Sequence, residues 1–234
     1  MKDLFGKAIL DFQTKNSPQD LVTETNISVT DEMSVEYLFR DFSVMPKLEQ
    51  IALQLSKGKI LDVGCGAGSH ALYLQEKGFD ITGIDISINA ISACELRGLK
   101  KTRVQNILEV ENETYDTILL LMNGTGIFRT LAETTKYMDK LKSLLNPNGQ
   151  ILIDSSDIIY MFDEDEDGSY LVPVDGYYGE LTFTVSYKGK TEEPFPWLYL
   201  DYNTLQNLAF ANGLQCELIL EGEYFDYLAK LTLE

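Results

Sequence analysis

The stretch of this 234-residue chain best suited to chemistry is Ile60-Leu61-Asp62-Val63-Gly64-Cys65-Gly66-Ala67-Gly68-Ser69-His70. A short apolar run enters a glycine-rich turn, and the turn opens a helical pattern. Glycine lets the backbone turn left-handed and lets a ligand approach closely. The helix start offers free N–H groups to a negatively charged ligand group. Asp85 ends the next apolar run, 21 residues after Gly64. A carboxylate there can accept both hydroxyls of a ribose, each charge-assisted bond contributing roughly 1.5–3 kcal/mol.

Other residues invite chemistry less specifically. Asp154, Ser155, Ser156 and Asp157 follow an apolar run, and either acid suits a base, a metal ligand or a cap of the next turn. His70 is the only histidine, so a histidine-based metal site is excluded and a Ser-His-Asp triad is disfavoured. It either reaches a ligand from the first helical turn or packs. Cys65 reads as a small packing residue, since nothing near it in sequence lowers a thiol pKa. Tyr160, Tyr177, Tyr178, Trp197 and Tyr199 read as the core of a small sheet or as a substrate box. Asp163–Gly168 resembles the start of a calcium loop, but position 174 is Val where the bidentate Glu is required.

The elements that must position these residues alternate. Residues 60–63, 81–85, 103–105, 115–122 and 150–154 read as strands. Helical patterns fill 69–77, 87–97 and 128–145, with Ser87 as a cap and Leu108–Thr114 too short for a helix. Strands alternating with helices imply a parallel sheet and an α/β fold. Before them, residues 1–58 read as helical, including a stretch from about Ser34 to Ser56. After them, Leu181–Lys188 reads as a strand turning at Gly189, 204–212 as a helix, and 216–221 with 227–233 as a closing hairpin. The organisation expected is one domain: a helical cap (1–58), a ligand-binding core (59–156), a β-rich insertion (157–200) and a C-terminal completion (201–234).

NAD and S-adenosylmethionine both fit the glycine turn and Asp85. The dinucleotide pattern GxGxxG needs a third glycine at position 69, which is Ser. Asp62–Gly68 with Ile84-Asp85-Ile86-Ser87 instead resembles motifs I and II of class I S-adenosylmethionine-dependent methyltransferases. The resemblance covers residues 59–156 and, more loosely, 203–233. Tyr37–Ala52 and Glu193–Trp197 are similar to a bacterial subgroup described only as type 11. It implies a Rossmann-like seven-stranded sheet, mostly parallel with a C-terminal antiparallel hairpin.

The resemblance also implies roles. Gly64, Cys65, Gly66 and Gly68 form the floor under the methionine moiety, and Asp62 orients its ammonium. Asp85 holds the ribose, Ile86 packs on adenine, and Asn106 stands near the acceptor of the adenine amino group. Met122 and Asn123 border the sulfonium. No catalytic residue is named; Asp157, His70 and Tyr178 are candidates, beside Asp154. The methyl passes by in-line displacement, for which positioning suffices. The acceptor expected is a small molecule, or secondly a protein side chain. The alternatives are a non-catalytic S-adenosylmethionine-binding module and an NAD-dependent dehydrogenase. The segments 1–58 and 157–200 either meet over the crevice, with Tyr37, Phe39, Phe42 and the insertion's aromatics lining an acceptor pocket and Arg40 holding a carboxylate, or the insertion extends away.

Charge narrows the partners. Lys plus Arg is 19 and Asp plus Glu is 37, a net charge of −18. Residues 151–234 hold 17 acids and 3 bases, so most of the excess lies there. Phosphate backbones and anionic membranes repel such a chain, and neither is expected as partner. No NPPY-like tetrapeptide follows the fourth core strand, where Met122-Asn-Gly-Thr stands, which also argues against nucleic acid. Three widely spaced cysteines without a CxxC argue against a disulfide framework or zinc site. No signal-peptide pattern opens the chain, and a cytoplasmic setting is expected.

Overall fold

A computed structural model describes residues 2–234. Its centre is a seven-stranded sheet, and the expected α/β architecture stands. In chain order the strands are β3 (Lys59–Val63), β4 (Asp80–Asp85), β5 (Thr102–Val104), β6 (Tyr115–Leu120), β7 (Leu145–Ser156), β11 (Leu214–Glu221) and β12 (Asp226–Leu233). The spatial order is β11-β12-β7-β6-β3-β4-β5. The first five are mutually parallel, and β12 and β11 close the sheet antiparallel.

The strands are apolar on both faces because both are covered. Leu61, Ile118 and Ile153 pack against α5 (Thr134–Ser143) and α6 (Tyr202–Ala211). Ile60, Leu119 and Leu152 point the other way, against α2 (Lys47–Leu55), α3 (Ser69–Glu76) and α4 (Ile88–Leu96). Alternation along a strand thus feeds two cores. Ser87 caps α4 as expected, its hydroxyl accepting from the Ala90 N–H at 2.9 Å.

The first 58 residues are not wholly helical. After α1 (Leu4–Gln13) come two strands, β1 (Leu21–Thr25) and β2 (Ser28–Met33). The stretch expected as one helix over 34–56 is two 3₁₀ turns, Glu36–Phe39 and Phe42–Val44, then α2 after Pro46. The insertion supplies β8 (Glu180–Tyr187), β9 (Lys190–Thr191) and β10 (Phe195–Leu198). β8 pairs with β1, and the second sheet runs β10-β8-β1-β2. Thr, Val and Ile fill 22–30 and favour strands, but the partner lies some 160 residues away, beyond any local pattern. The helix expected from 128 starts only at Thr134, after 3₁₀ turns. Among the described residues no helix is long and apolar enough to cross a membrane.

This shared sheet makes a stability prediction. Leu21 is fully buried in it, whereas Val29 on β2 is 84% exposed. Leu21→Ala should cost about 2–5 kcal/mol in chemical denaturation, and Val29→Ala less than about 0.5 kcal/mol. Equal effects would contradict the pairing of β1 with the insertion.

Candidate functional site

All three glycines of the turn have left-handed φ: 71° at Gly64, 53° at Gly66 and 82° at Gly68. A side chain at Gly68 would strike Cys94 Sγ at 2.9 Å, so close packing of α4 needs glycine there. Above Gly66 a Cβ would meet nothing nearer than Gly64 O at 3.9 Å, which leaves an open cradle. The N–H groups of Gly64 and Cys65 both donate to Ile84 O and fix the turn to β4. Asp85 ends β4 beside it. Its Oδ2 accepts from Gly66 N–H at 3.0 Å and its Oδ1 from Ser87 N–H at 2.8 Å. Burial raises its carboxyl above the usual range, against the pull of those N–H groups. The next residue, Ile86, presents an apolar side chain that is 61% exposed.

Among the described residues three buried side-chain polar atoms lack a partner: Arg40 Nε, Asp62 Oδ2 and Gln105 Oε1. Each belongs to a segment that meets the glycine turn or Asp85. Asp62, in β3, precedes Gly64 by two residues; burial raises its carboxyl to about 6, with the charge of His70 opposing. Gln105 follows β5, and its N–H donates to Asp85 O at 2.9 Å. Arg40 closes the 36–39 turn, which Ser69 ties to α3 through a 2.7 Å bond to Leu38 O. Its Nη2 is held by both oxygens of Glu49. Glu49 Oε2 in turn lies 2.6 Å from His70 Nε2. So His70 is engaged inside the protein, and Arg40 already has a carboxylate of this chain. Asn106 spends its Oδ1 on the Leu108 N–H at 2.9 Å; its neighbour Gln105 carries the free acceptor.

The end of β6 forms the other wall. Met122 and Asn123 are consecutive left-handed residues, φ 67° and 58°. Asp154, buried at the end of β7, accepts from Met122 N–H and Gly124 N–H, both at 3.0 Å. Burial drives its carboxyl to about 7 despite these bonds, with Glu49 adding to the rise. Trp197 of β10 lies on Gly126, where an added Cβ would fall 2.0 Å from its ring. The second sheet thereby docks on this turn. Leu38 and Ile9 pack with Ala67 of the glycine turn, so the N-terminal segment meets the cradle as well.

The remaining candidates separate. Asp157 Oδ1 accepts from Tyr178 OH at 2.7 Å and from Ile159 N–H at 2.9 Å. Burial, then the bond to Asp157, pushes the Tyr178 hydroxyl far above its ordinary pKa. Tyr177 binds Asp201 at 2.7 Å and belongs to the small fold around α6. Tyr160 stacks on Phe225, and both are about half exposed. Tyr199 is raised by burial to about 12. Phe42 stacks on Tyr73 of α3 at 4.2 Å and lines that helix. Cys65 Sγ lies 4.0 Å from Cys94 Sγ, and that contact together with burial pushes its thiol up, which makes it a packing residue. No cluster of three or more metal-ligating side chains occurs among the described residues.

A sequence model described as a methyltransferase domain matches residues 36–184. A S-adenosylmethionine-dependent methyltransferase from Bacteroides fragilis, solved with S-adenosyl-L-homocysteine, is 45% identical over 99% of this chain and 95% of its own, with a TM-score of 0.92. The chain belongs to the S-adenosylmethionine-dependent methyltransferases. A ubiquinone biosynthesis O-methyltransferase of Rickettsia prowazekii is 30% identical over 47% of this chain and 44% of its own. A glycine/sarcosine N-methyltransferase of Halorhodospira halochloris is 26% identical over 48% and 45%. The chain spans about half the length, or slightly less, of these curated relatives.

Two residues of this region escape sequence reading, Glu49 and Gln105. Glu49 shares the buried face of α2 with Ala52 and Leu53, at helical spacing. A lone acid on such a face is the signal for a buried ion pair. Gln105 was one residue from the expected position. Asp154→Ala would leave two buried N–H groups unpaired. It should cost about 2–4 kcal/mol of stability, read from denaturant midpoints, and an unchanged midpoint would refute the clamp.

Proposed function

We propose that this chain transfers a methyl group from S-adenosylmethionine to a small-molecule acceptor. The observation that carries the reading is the set of three unpartnered buried atoms on segments that meet the glycine turn or Asp85. An unpaired buried polar group costs about 1–3 kcal/mol, so each calls for a ligand atom of opposite character. Arg40 Nε is a donor and suits the methionine carboxylate. Asp62 Oδ2 is an acceptor and suits the ammonium. Gln105 Oε1 is an acceptor and suits the adenine amino group. Asp85 keeps a free lone pair on each oxygen for the ribose hydroxyls. Ile86 offers its exposed side chain to the adenine face, and the cradle above Gly66 leaves room for the amino-acid end.

The cofactor supplies an electrophilic methyl on a sulfonium. This chain supplies position. Met122 and Asn123, clamped by Asp154, set the wall beside the reacting atoms. Alignment of that kind is worth effective molarities of order 10⁵ M or more. Where the acceptor must lose a proton, Asp157 takes it, since its carboxylate sits at the carboxyl end of β7 in the crevice region. Tyr178 donates to Asp157 and holds its own proton too firmly to serve. His70 is committed to Glu49. A small acceptor is supported by the net charge of −18, which repels polyanions. The matched relatives named for glycine, sarcosine and ubiquinone biosynthesis also work on small molecules.

Calorimetry should show S-adenosylmethionine and S-adenosylhomocysteine binding and no response to NAD; the reverse pattern would sink the reading. Asp85→Ala should weaken S-adenosylhomocysteine by about 2–4 kcal/mol, and an unchanged dissociation constant would remove Asp85 from the site.

Asp62 adds a pH dependence. Its folded pKa of about 6 means the carboxyl is neutral below that pH and cannot attract an ammonium. S-adenosylhomocysteine affinity should therefore rise from pH 5 to pH 7 and level off above. Asp62→Asn should flatten the rise, and a wild-type profile that is already flat would refute the role.

A further inference from the structure

The reading above leaves a buried relay without a task. Glu49 lies 4% exposed on α2, and its carboxylate takes both Arg40 Nη2 and His70 Nε2. Burial alone would raise this carboxyl, yet the hydrogen bond from His70 and the Arg40 charge hold it below the usual range. The guanidinium is fixed on its other side too. Its Nη1 donates to Tyr37 O at 2.8 Å, and its Cζ sits 4.1 Å above the Tyr37 ring. Every nitrogen of Arg40 except Nε is thus spent within the protein.

A guanidinium is a planar fork, so fixing two of its nitrogens fixes the direction of the third. His70 is the second residue of α3, directly after the glycine cradle, and its charge acts on Asp62. The relay therefore runs from the cradle through α2 back to the free Nε. We propose that Glu49 and His70 are positioning residues that aim Arg40 Nε at the carboxylate of the cofactor's methionine moiety. This rests on the S-adenosylmethionine reading. A purely structural ion pair would have no reason to leave one buried guanidinium N–H unpaired, whereas an aimed one must.

The test compares two probes on the full chain. S-adenosylhomocysteine carries the amino-acid end, and 5′-methylthioadenosine lacks it but keeps ribose and adenine. The wild-type protein should prefer the first by about 100-fold, from two charge-assisted contacts. Glu49→Gln should weaken S-adenosylhomocysteine about tenfold or more while 5′-methylthioadenosine stays within about twofold. That constancy also reports that the variant is folded. A Glu49→Gln protein that keeps the full wild-type preference overturns the proposal. A wild-type protein that binds both probes equally overturns instead the assignment of Arg40 and Asp62 to the methionine end.

Should Glu49→Gln not fold, the relay is tested from its other end. His70→Leu should lose part of the preference, and His70→Gln, whose amide N–H can still donate to Glu49, should restore most of it. Equal behaviour of Leu and Gln at this position also overturns the proposal.

Discussion

Asp62 is a carboxylate on a central strand, 2% exposed, with one oxygen that nothing in the protein satisfies. Taking an ion into the interior costs several kcal/mol even after relaxation, so neighbouring groups must be arranged around it. His70 supplies an opposing charge, and His70 is itself held by Glu49. Glu49 then requires Arg40, and Arg40 requires the 36–40 segment to lie across α3. One buried acid on β3 thus propagates into the placement of the whole N-terminal segment. Four acids, Asp62, Glu49, Asp85 and Asp154, stand in this neighbourhood with two arginines, Arg40 on Glu49 and Arg97 on Ala67 O of the turn. S-adenosylmethionine carries an ammonium, a sulfonium and a carboxylate, a net charge of +1, and such a ligand suits a neighbourhood with more acids than bases.

The sheet topology makes this arrangement possible. Parallel strands put the carboxyl ends of β3, β4, β6 and β7 along one edge, where Asp62, Asp85, Met122 and Asp154 converge. Such an edge alone is open to water. The second sheet takes β1 and β2 from one end of the chain and β8 to β10 from the insertion, and it seats Trp197 on the turn after β6. Neither segment is complete without the other, since β1 pairs with β8 on one side and β2 on the other. The sheet that meets the turn after β6 therefore arises from a long-range pairing rather than from a self-contained cap.

What the sequence makes legible follows from locality. The glycine turn, Asp85 and the Ser87 cap are readable because their chemistry lies within a few residues. The five parallel strands are readable from short apolar runs between helical patterns. The strands of 21–33 are misread as part of a helical cap because their hydrogen-bond partner is β8. Leu21 and Val29 have similar side chains, and only tertiary pairing buries the first and exposes the second. Arg40 is legible as a cation waiting for a carboxylate, but not that Glu49 already holds its Nη2 and Tyr37 O its Nη1. Asn106 and Gln105 illustrate a finer limit. Both are amides after the same strand, and a single backbone N–H, that of Leu108, decides which one is left free.

The turn at Met122-Asn123 explains why an acid stands at the end of β7. Two consecutive non-glycine residues in the left-handed region cost about 1–2 kcal/mol each. Asp154 returns two hydrogen bonds, worth roughly 0.5–1.5 kcal/mol each to a neutral carboxyl and 1.5–3 kcal/mol each to a carboxylate. The two effects are of similar size and opposite sign, so the turn persists only while the clamp does. Strained backbone held in this way clusters where a wall must be placed accurately. A buried acid with both oxygens committed to backbone N–H groups is poorly suited to accept a proton from an acceptor. Three residues later Asp157 holds a tyrosine hydroxyl and one N–H, both on a single oxygen. Its other oxygen makes no hydrogen bond among the described residues, so the two acids differ in what they have left: Asp154 has both oxygens committed to the turn after β6, and Asp157 has one uncommitted.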